Sequence, residues 1–192
     1  MAMVGMLHPV AATISSEVEG SAITYSAGMV IGKAISANIT MERNDNPLYA
    51  DDSIAETDNG ITGGSIEVNT DDLLESVRKY MLGLKDVTVG SNTEYDETEE
   101  ASPYVGFGFI QVRRKNGATS YKCHWFHKVI FAESNESAQT KGESIEWQTP
   151  TITGRIMGVR NDSSLVAKYR RIAVFDTLAS ATSWINGKAG IT

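Results

Sequence analysis

The chain has 192 residues and a formal charge of -7, from 24 acidic and 17 basic side chains, with 41% hydrophobic residues. That balance, with a pI near 5.0, argues against a protein that reads nucleic acid through a basic face. A lone cysteine, Cys123, excludes an intrachain disulfide, and no apolar run approaches the ~18 residues of a membrane helix.

A chain of this size buries roughly 70% of its unfolded surface, so it needs neither metal nor disulfide to fold. The start, "MAMVGMLHPV", lacks a basic n-region and has too short an apolar run for a signal peptide. The expected compartment is a reducing cytoplasm.

Alternation governs the elements that follow. In "KAISANITME" (33–42), Ser36, Asn38, Thr40 and Glu42 share one face, while Ile35, Ala37, Ile39 and Met41 share the other. That is a half-buried strand. "RNDNPLYADDSIAETDNG" (43–60) is read as a long loop that carries its own apolar residues, Pro47, Leu48, Tyr49 and Ile54. Such a loop usually has a job or a partner to dock on. "GGSIEVNT" (63–70) alternates again, with Ser65, Glu67 and Asn69 opposite Ile66 and Val68.

The period then changes. "TDDLLESVRKYMLGL" (70–84) sets Leu73, Val77, Tyr80, Met81 and Leu84 at helical spacing. Thr70, Asp71 or Asp72 is expected to cap it and Gly83 to stop it. The acidic stretch 90–103 reads as a loop. Two long strands, roughly 103–114 and 118–131, flank Asn116-Gly117, a strong hairpin signal. Residues 142–157 alternate and break at Pro150; 167–175 is the last strand. A short helix over 176–188 is expected to be capped by Asp176 and ended by Gly187.

The order is mostly strand, with no βαβ alternation, heptad or fixed-period repeat. It predicts a single β-rich α+β domain over 1–192: a β-sandwich or partial barrel with one flanking α-helix and a short C-terminal helix.

Candidate chemistry is sparse. "VGFGFIQV" (105–112) shares letters with an RNA-binding signature. However, Val105 stands where a cation belongs and Val112 where an aromatic belongs. Phe107 and Phe109 fall on one strand face, where they pack a core. Gly106 and Gly108 then relieve crowding against a neighbour. In "YKCHWFHK" (121–128), Cys123, Trp125 and His127 share a face and His124 and Phe126 oppose it. Cys123 and His127 lie about 13 Å apart by strand rise, too far for one zinc ion. Asp51 and Asp52 lack calcium-loop spacing. No nucleophile, phosphate-loop or metalloprotease motif is present, so no catalytic residue, metal or cofactor is expected.

Several stretches together resemble a known family. "PLYADDSIAE" (47–56), "PYVGFGFIQVRRKNG" (103–117), "YKCHWFHKVIFA" (121–132) and "SAQTKGESIEWQTPTITGRIM" (137–157) are similar, in order, to the phi13-type major tail proteins of long-tailed bacteriophages. The resemblance implies a structural virion protein. Its β-sandwich subunits form hexameric rings that stack into a tail tube, and DNA passes through the lumen. It also implies assembly in the host cytoplasm and tape measure, tail terminator and distal tail proteins as partners, with double-stranded DNA contacted only transiently.

On that reading six copies carry six times -7, or -42, which repels DNA and keeps it sliding. Loop 43–60 is expected to reach another subunit. The candidate lumen-facing residues are Asn38, Thr40 and Glu42, then Ser65, Glu67 and Asn69, then Ser144, Glu146 and Gln148. The alternatives are another β-sandwich virion protein, from a baseplate or capsid decoration, or a carbohydrate-binding module using Tyr121, Trp125, Trp147 and Trp184.

Overall fold

The computed structural model describes residues 2–50, 53–89, 92–133, 149–160 and 166–191. Strand accounts for 62% and helix for 12%, which establishes the β-rich α+β class. In chain order the elements are β1 (Ala2–Ser16), β2 (Thr24–Val30), β3 (Ala34–Arg43), β4 (Asn46–Ala50), β5 (Ser53–Asp58), β6 (Ile61–Thr70) and α1 (Glu75–Leu82). There follow β7 (Lys85–Val89), β8 (Asn92–Asp96), β9 (Tyr104–Lys115), β10 (Ala118–Glu133), β11 (Thr151–Met157), β12 (Arg170–Phe175) and α2 (Leu178–Ala189).

Eight strands form one antiparallel sheet in the order β2-β1-β9-β10-β11-β6-β3, with β12 also paired to β10. The expected hairpin is its centre. Asn116 (φ 50°) and Gly117 (φ 81°) close β9 onto β10 with the two positive φ angles that a type I′ turn needs. β9 runs along one edge of β10 for nearly its whole length. The other edge is shared. Residues 121–126 pair with β12 and 128–133 with β11. Between Phe126 and Val129 the register slips by one residue against Phe107 and Val105. This β-bulge bends the strand and marks the fork.

The sheet curls until β1 and β3 touch. Its concave face encloses the main core, where Phe107, Phe126, Phe131, Ile66 and Ile156 meet Val77 and Met81 of α1. Phe107 stacks near Phe126 at 6.5 Å and meets Phe131 edge-on at 5.3 Å. An eight-residue helix is too short to persist alone, so α1 owes its stability to this apolar stripe. Over β1, β9 and β10, the opposite face is covered by α2 through Ala181, Ile185 and Ala189.

Gly106 and Gly108 face that second layer, and the crowding expected there is present. A Cβ at Gly106 would lie 2.5 Å from the Tyr25 ring and 2.6 Å from Trp125; one at Gly108 would lie 2.7 Å from both the His124 carbonyl and Trp125. The Trp125 indole is therefore seated on bare backbone, with Tyr25 edge-on at 5.0 Å.

Five expectations need correction. Strands β1 and β2 fill an N-terminal region for which no element was anticipated. α1 begins after Leu74, and neither Thr70, Asp71 nor Asp72 caps it. Instead Asp71 Oδ1 accepts from the backbone of Lys33, 2.8 Å, and of Asp72, 3.0 Å. A carboxylate that ties two strands together is unavailable to a helix four residues on. In α2 the cap is Thr177, which accepts from the Ser180 amide; the helix continues through Gly187 and ends at Gly190, φ 69°. Loop 43–60 contains the β4–β5 hairpin, tied at its base by Asn44 to Asp58, 2.8 Å, and by Arg43 to the Asn59 carbonyl, 3.1 Å. Pro47, Leu48 and Tyr49 lie on β4 and Ile54 on β5, with Tyr49 opposite Ile54. Likewise, the acidic loop at 90–103 starts inside the β7–β8 hairpin.

The two glycines give a direct test. Gly106→Ala or Gly108→Ala is expected to destabilise the fold by about 1–3 kcal/mol through overpacking, read as a lower denaturant midpoint. Alanine at Gly117, whose Cβ would meet nothing within 4 Å, is expected to cost less and only through its positive φ.

Candidate assembly surface

The convex face of the sheet is divided. Over β1, β9 and β10 it is apolar and lies under α2. Over β3, β6 and β11 the same face carries polar side chains. Register brings two of the three candidate segments together there: Asn38 pairs with Glu67 and Thr40 with Ser65, while Ser36 pairs with Asn69. On the far side of β6, Thr153 pairs with Glu67, Arg155 with Ser65 and Thr151 with Asn69. Three cross-strand rungs thus form one surface. Asn69 Nδ2 donates to Thr151 Oγ1 across it at 2.8 Å.

Asn38, Thr40, Glu42 and Glu67 are exposed, and Ser65 and Asn69 are half-buried. Their alternates Ile66, Val68, Ile152 and Ile156 fill the core, with Ala37, Ile39 and Met41 packed against it. Ser144, Glu146 and Gln148 lie outside the described residues. Arg155 was missed as a member of this face, although the alternation in "TITGRIM" gives its position. It places one guanidinium beside Glu42 and Glu67, so the described part of the face is mixed in charge rather than purely acidic.

Residues that suggested chemistry are held neutral inside. His124 stacks on Phe109 at 5.0 Å. Burial, aided by Lys122 and Arg170, lowers its pKa to about 3. His127 Nδ1 lies 3.3 Å from the Tyr25 hydroxyl, which donates to the His127 carbonyl at 2.9 Å. Burial first, then Arg171, Lys188 and Lys168, lowers the His127 pKa to about 4. The Cys123 thiol, pushed up to about 11 by burial, faces the Ala181 carbonyl at 3.7 Å. Strand alternation puts Cys123 and His124 on opposite faces of β10, in different packing layers. Among the described residues, no three His, Cys, Asp or Glu side chains converge on a metal-sized site, and no helix is long and apolar enough to cross a membrane.

Among the described residues, Trp125 and Trp184 do not form an exposed aromatic row. Trp125 is fully buried, and Trp184 packs against Phe175 at 6.1 Å. Trp147 lies outside the described residues. A cavity of about 340 Å³ beside Tyr25, Trp125 and His127 is bounded by Arg171 and Lys188. It opens at the C-terminal end of α2, where the helix dipole is negative and cations are favoured.

Compared with known proteins, the chain matches no family model and no curated sequence.

The buried histidines predict an acid-labile fold. Both have folded pKa values below the unfolded ~6.5, so the unfolded state takes up protons first as pH falls. Their stabilising balance is complete above about pH 6.5 and is lost progressively towards pH 4 and then 3. Thermal unfolding is expected to show a loss of a few kcal/mol per histidine across that window. His124→Phe, which keeps the stack on Phe109, should flatten the lower part of the curve.

Proposed function

We propose that this protein is a non-catalytic structural subunit that assembles with copies of itself into the tail tube of a long-tailed bacteriophage. The observation that carries the reading is the division of one sheet surface. A helix covers its apolar half, and nothing among the described residues covers its ordered polar half. A sheet face that meets water is polar, and one that lines a conduit for DNA must meet water and phosphate alike. Such a lining needs small polar side chains that offer a phosphate backbone no cationic array. The excess of 24 carboxylates over 17 cations adds the repulsion that keeps a polyanion from sticking.

Two hairpins, β4–β5 and β7–β8, form separate two-stranded sheets off the main one. Isolated hairpins are marginal in water and suit contacts with neighbouring subunits. The wider setting follows from the sequence resemblance: hexameric rings, a virion location, and tape measure, terminator and distal tail partners. No residue is assigned a catalytic role and no cofactor is proposed.

Electron microscopy of the concentrated protein tests the reading. Long hollow cylinders are expected; discrete rings would favour a baseplate role, and persistent monomers would count against assembly altogether. Removing residues 45–58 is expected to leave a folded protein, with an unchanged main-sheet circular dichroism signal, that forms no cylinders. Normal cylinders from the deleted chain would exclude that hairpin as a contact.

The lumen assignment has its own test. Glu42→Lys with Glu67→Lys changes two exposed side chains, so stability should shift by less than about 1 kcal/mol. Assembled cylinders of the variant should retain duplex DNA at low salt and release it as salt rises, because counterion release governs such binding. Cylinders that bind no DNA at low salt would mean that β3 and β6 face elsewhere.

A further inference from the structure

The acidic chain carries a concentrated basic cluster away from the α2 cavity. On the concave side of the β9–β10 tip, alternation aligns Arg113, Lys122 and Arg170, because Lys122 pairs with Gln111 and Val174, and Arg170 with Phe126. None of the three belongs to an ion pair among the described residues. They crowd one another: burial, then Arg170 and Arg113, pulls the Lys122 pKa below its usual value. Beside them β12 exposes Ile172 and Val174, 42% and 52% accessible. A cationic patch with an apolar margin, on a strand paired along one edge only among the described residues, is an unfinished surface.

Its complement lies at the other end of the molecule. The β7–β8 hairpin and its exit carry Glu94, Asp96, Glu97 and Glu99, all exposed and none in an ion pair among the described residues. On the face of Glu94 and Asp96 the same hairpin exposes Val89, 51% accessible, which pairs with Asn92; Tyr95 lies on the other face.

Reach forbids pairing within one chain. The Lys79–Asp86 bridge ties the hairpin base to α1, a 2.7 Å Lys85–Glu100 bridge closes that base on its own exit, and Arg78 ties α1 to Glu133 at 2.7 Å. Lys122 stands eleven residues along β10 from Glu133, roughly 36 Å at strand rise, whereas five-residue arms span only about 17 Å.

We infer that the acidic β7–β8 hairpin of one copy docks on the Arg113–Lys122–Arg170 face of a second copy, with Val89, which shares the hairpin face of Glu94 and Asp96, against Ile172 and Val174. The contact is heterologous, since it joins two different patches. It therefore propagates head to tail until it closes into a ring or extends as a filament. The inference rests on the self-assembly proposed above and names one of its interfaces.

Two charge-reversed variants test it: Glu94→Lys/Asp96→Lys/Glu97→Lys, and Arg113→Glu/Lys122→Glu/Arg170→Glu. Each alone presents two like-charged patches and is expected to need at least about tenfold more protein to assemble than the wild type. Mixed in equal amounts, they present opposite patches again at both junctions. Assembly read by sedimentation velocity should return, and should weaken for wild type and mixture alike between about 50 and 500 mM salt.

The milder Arg113→Gln/Lys122→Gln variant, checked by circular dichroism, gives the same reading should the triple reversal misfold; it should also assemble less readily. Wild-type cylinders that persist in both reversed variants would overturn this contact and leave the tube reading intact. A wild type that stays monomeric at every concentration would overturn both. Loss of labelled duplex binding in the Arg113→Glu/Lys122→Glu/Arg170→Glu variant, with assembly unchanged, would reassign the patch to a polyanion.

Discussion

The bulge in β10 is the constraint on which the rest of the architecture depends. An unbroken strand of sixteen residues would keep one partner along each edge and one face towards each layer. The single extra residue between Phe126 and Val129 breaks that regularity. It sends β12 along the first half of the strand and β11 along the second. His127 fills the fork, where its amide donates to the Tyr169 carbonyl at 3.2 Å and its carbonyl accepts from Tyr25. The sheet can then be two surfaces at once, one packed under α2 and one polar.

Within the packed half, shape decides more than chemistry. Trp125 is the largest fully buried side chain. It fits because the strand opposite offers Gly106 and Gly108, and because α2 presents Ala181 and Ala189. Ionisable groups caught in this layer are kept neutral by burial, so the interior adds little to the field outside. Surface charge is left to set what the molecule meets, and it is separated lengthwise: carboxylates at the β7–β8 end of β9, cations at the Asn116 turn.

Legibility in the sequence followed the strength of each local signal. The β9–β10 hairpin was readable because Asn-Gly fixes a turn and long alternation fixes its arms. The glycine crowding was readable because Gly106 and Gly108 recur at the strand period opposite bulky aromatics. The polar faces of β3 and β6 were readable strand by strand, and their union into one surface required only register. β1 was not readable: it pairs on both edges and is buried on both faces around Val10, Ala11 and Ala12, which erases alternation. The caps of both helices were misplaced because Asp71 and Asp176 are good capping residues in isolation. Nothing local reveals that Asp71 is committed to the Lys33 backbone. Arg155 escaped notice because a strand's partners, not its letters, decide which surface its outward side chains join.

Open edges complete the physical account. Among the described residues, the path of the main sheet ends at β2 and β3, and β12 is paired on one side only. Exposed edges promote indiscriminate pairing unless something selects the partner. β2 is short and touches α2, β3 ends in Glu42 and Arg43, and β12 begins with Arg170 and Arg171. Charges at the ends of free edges do not remove the tendency to associate; they make it conditional on an oppositely charged partner. A chain whose acidic and basic patches sit at opposite ends satisfies that condition best with another copy in the same orientation, and like ends repel. If copies assemble as proposed, electrostatics chooses their orientation before any backbone pairing begins, which is what an ordered, repeating assembly requires of its subunit.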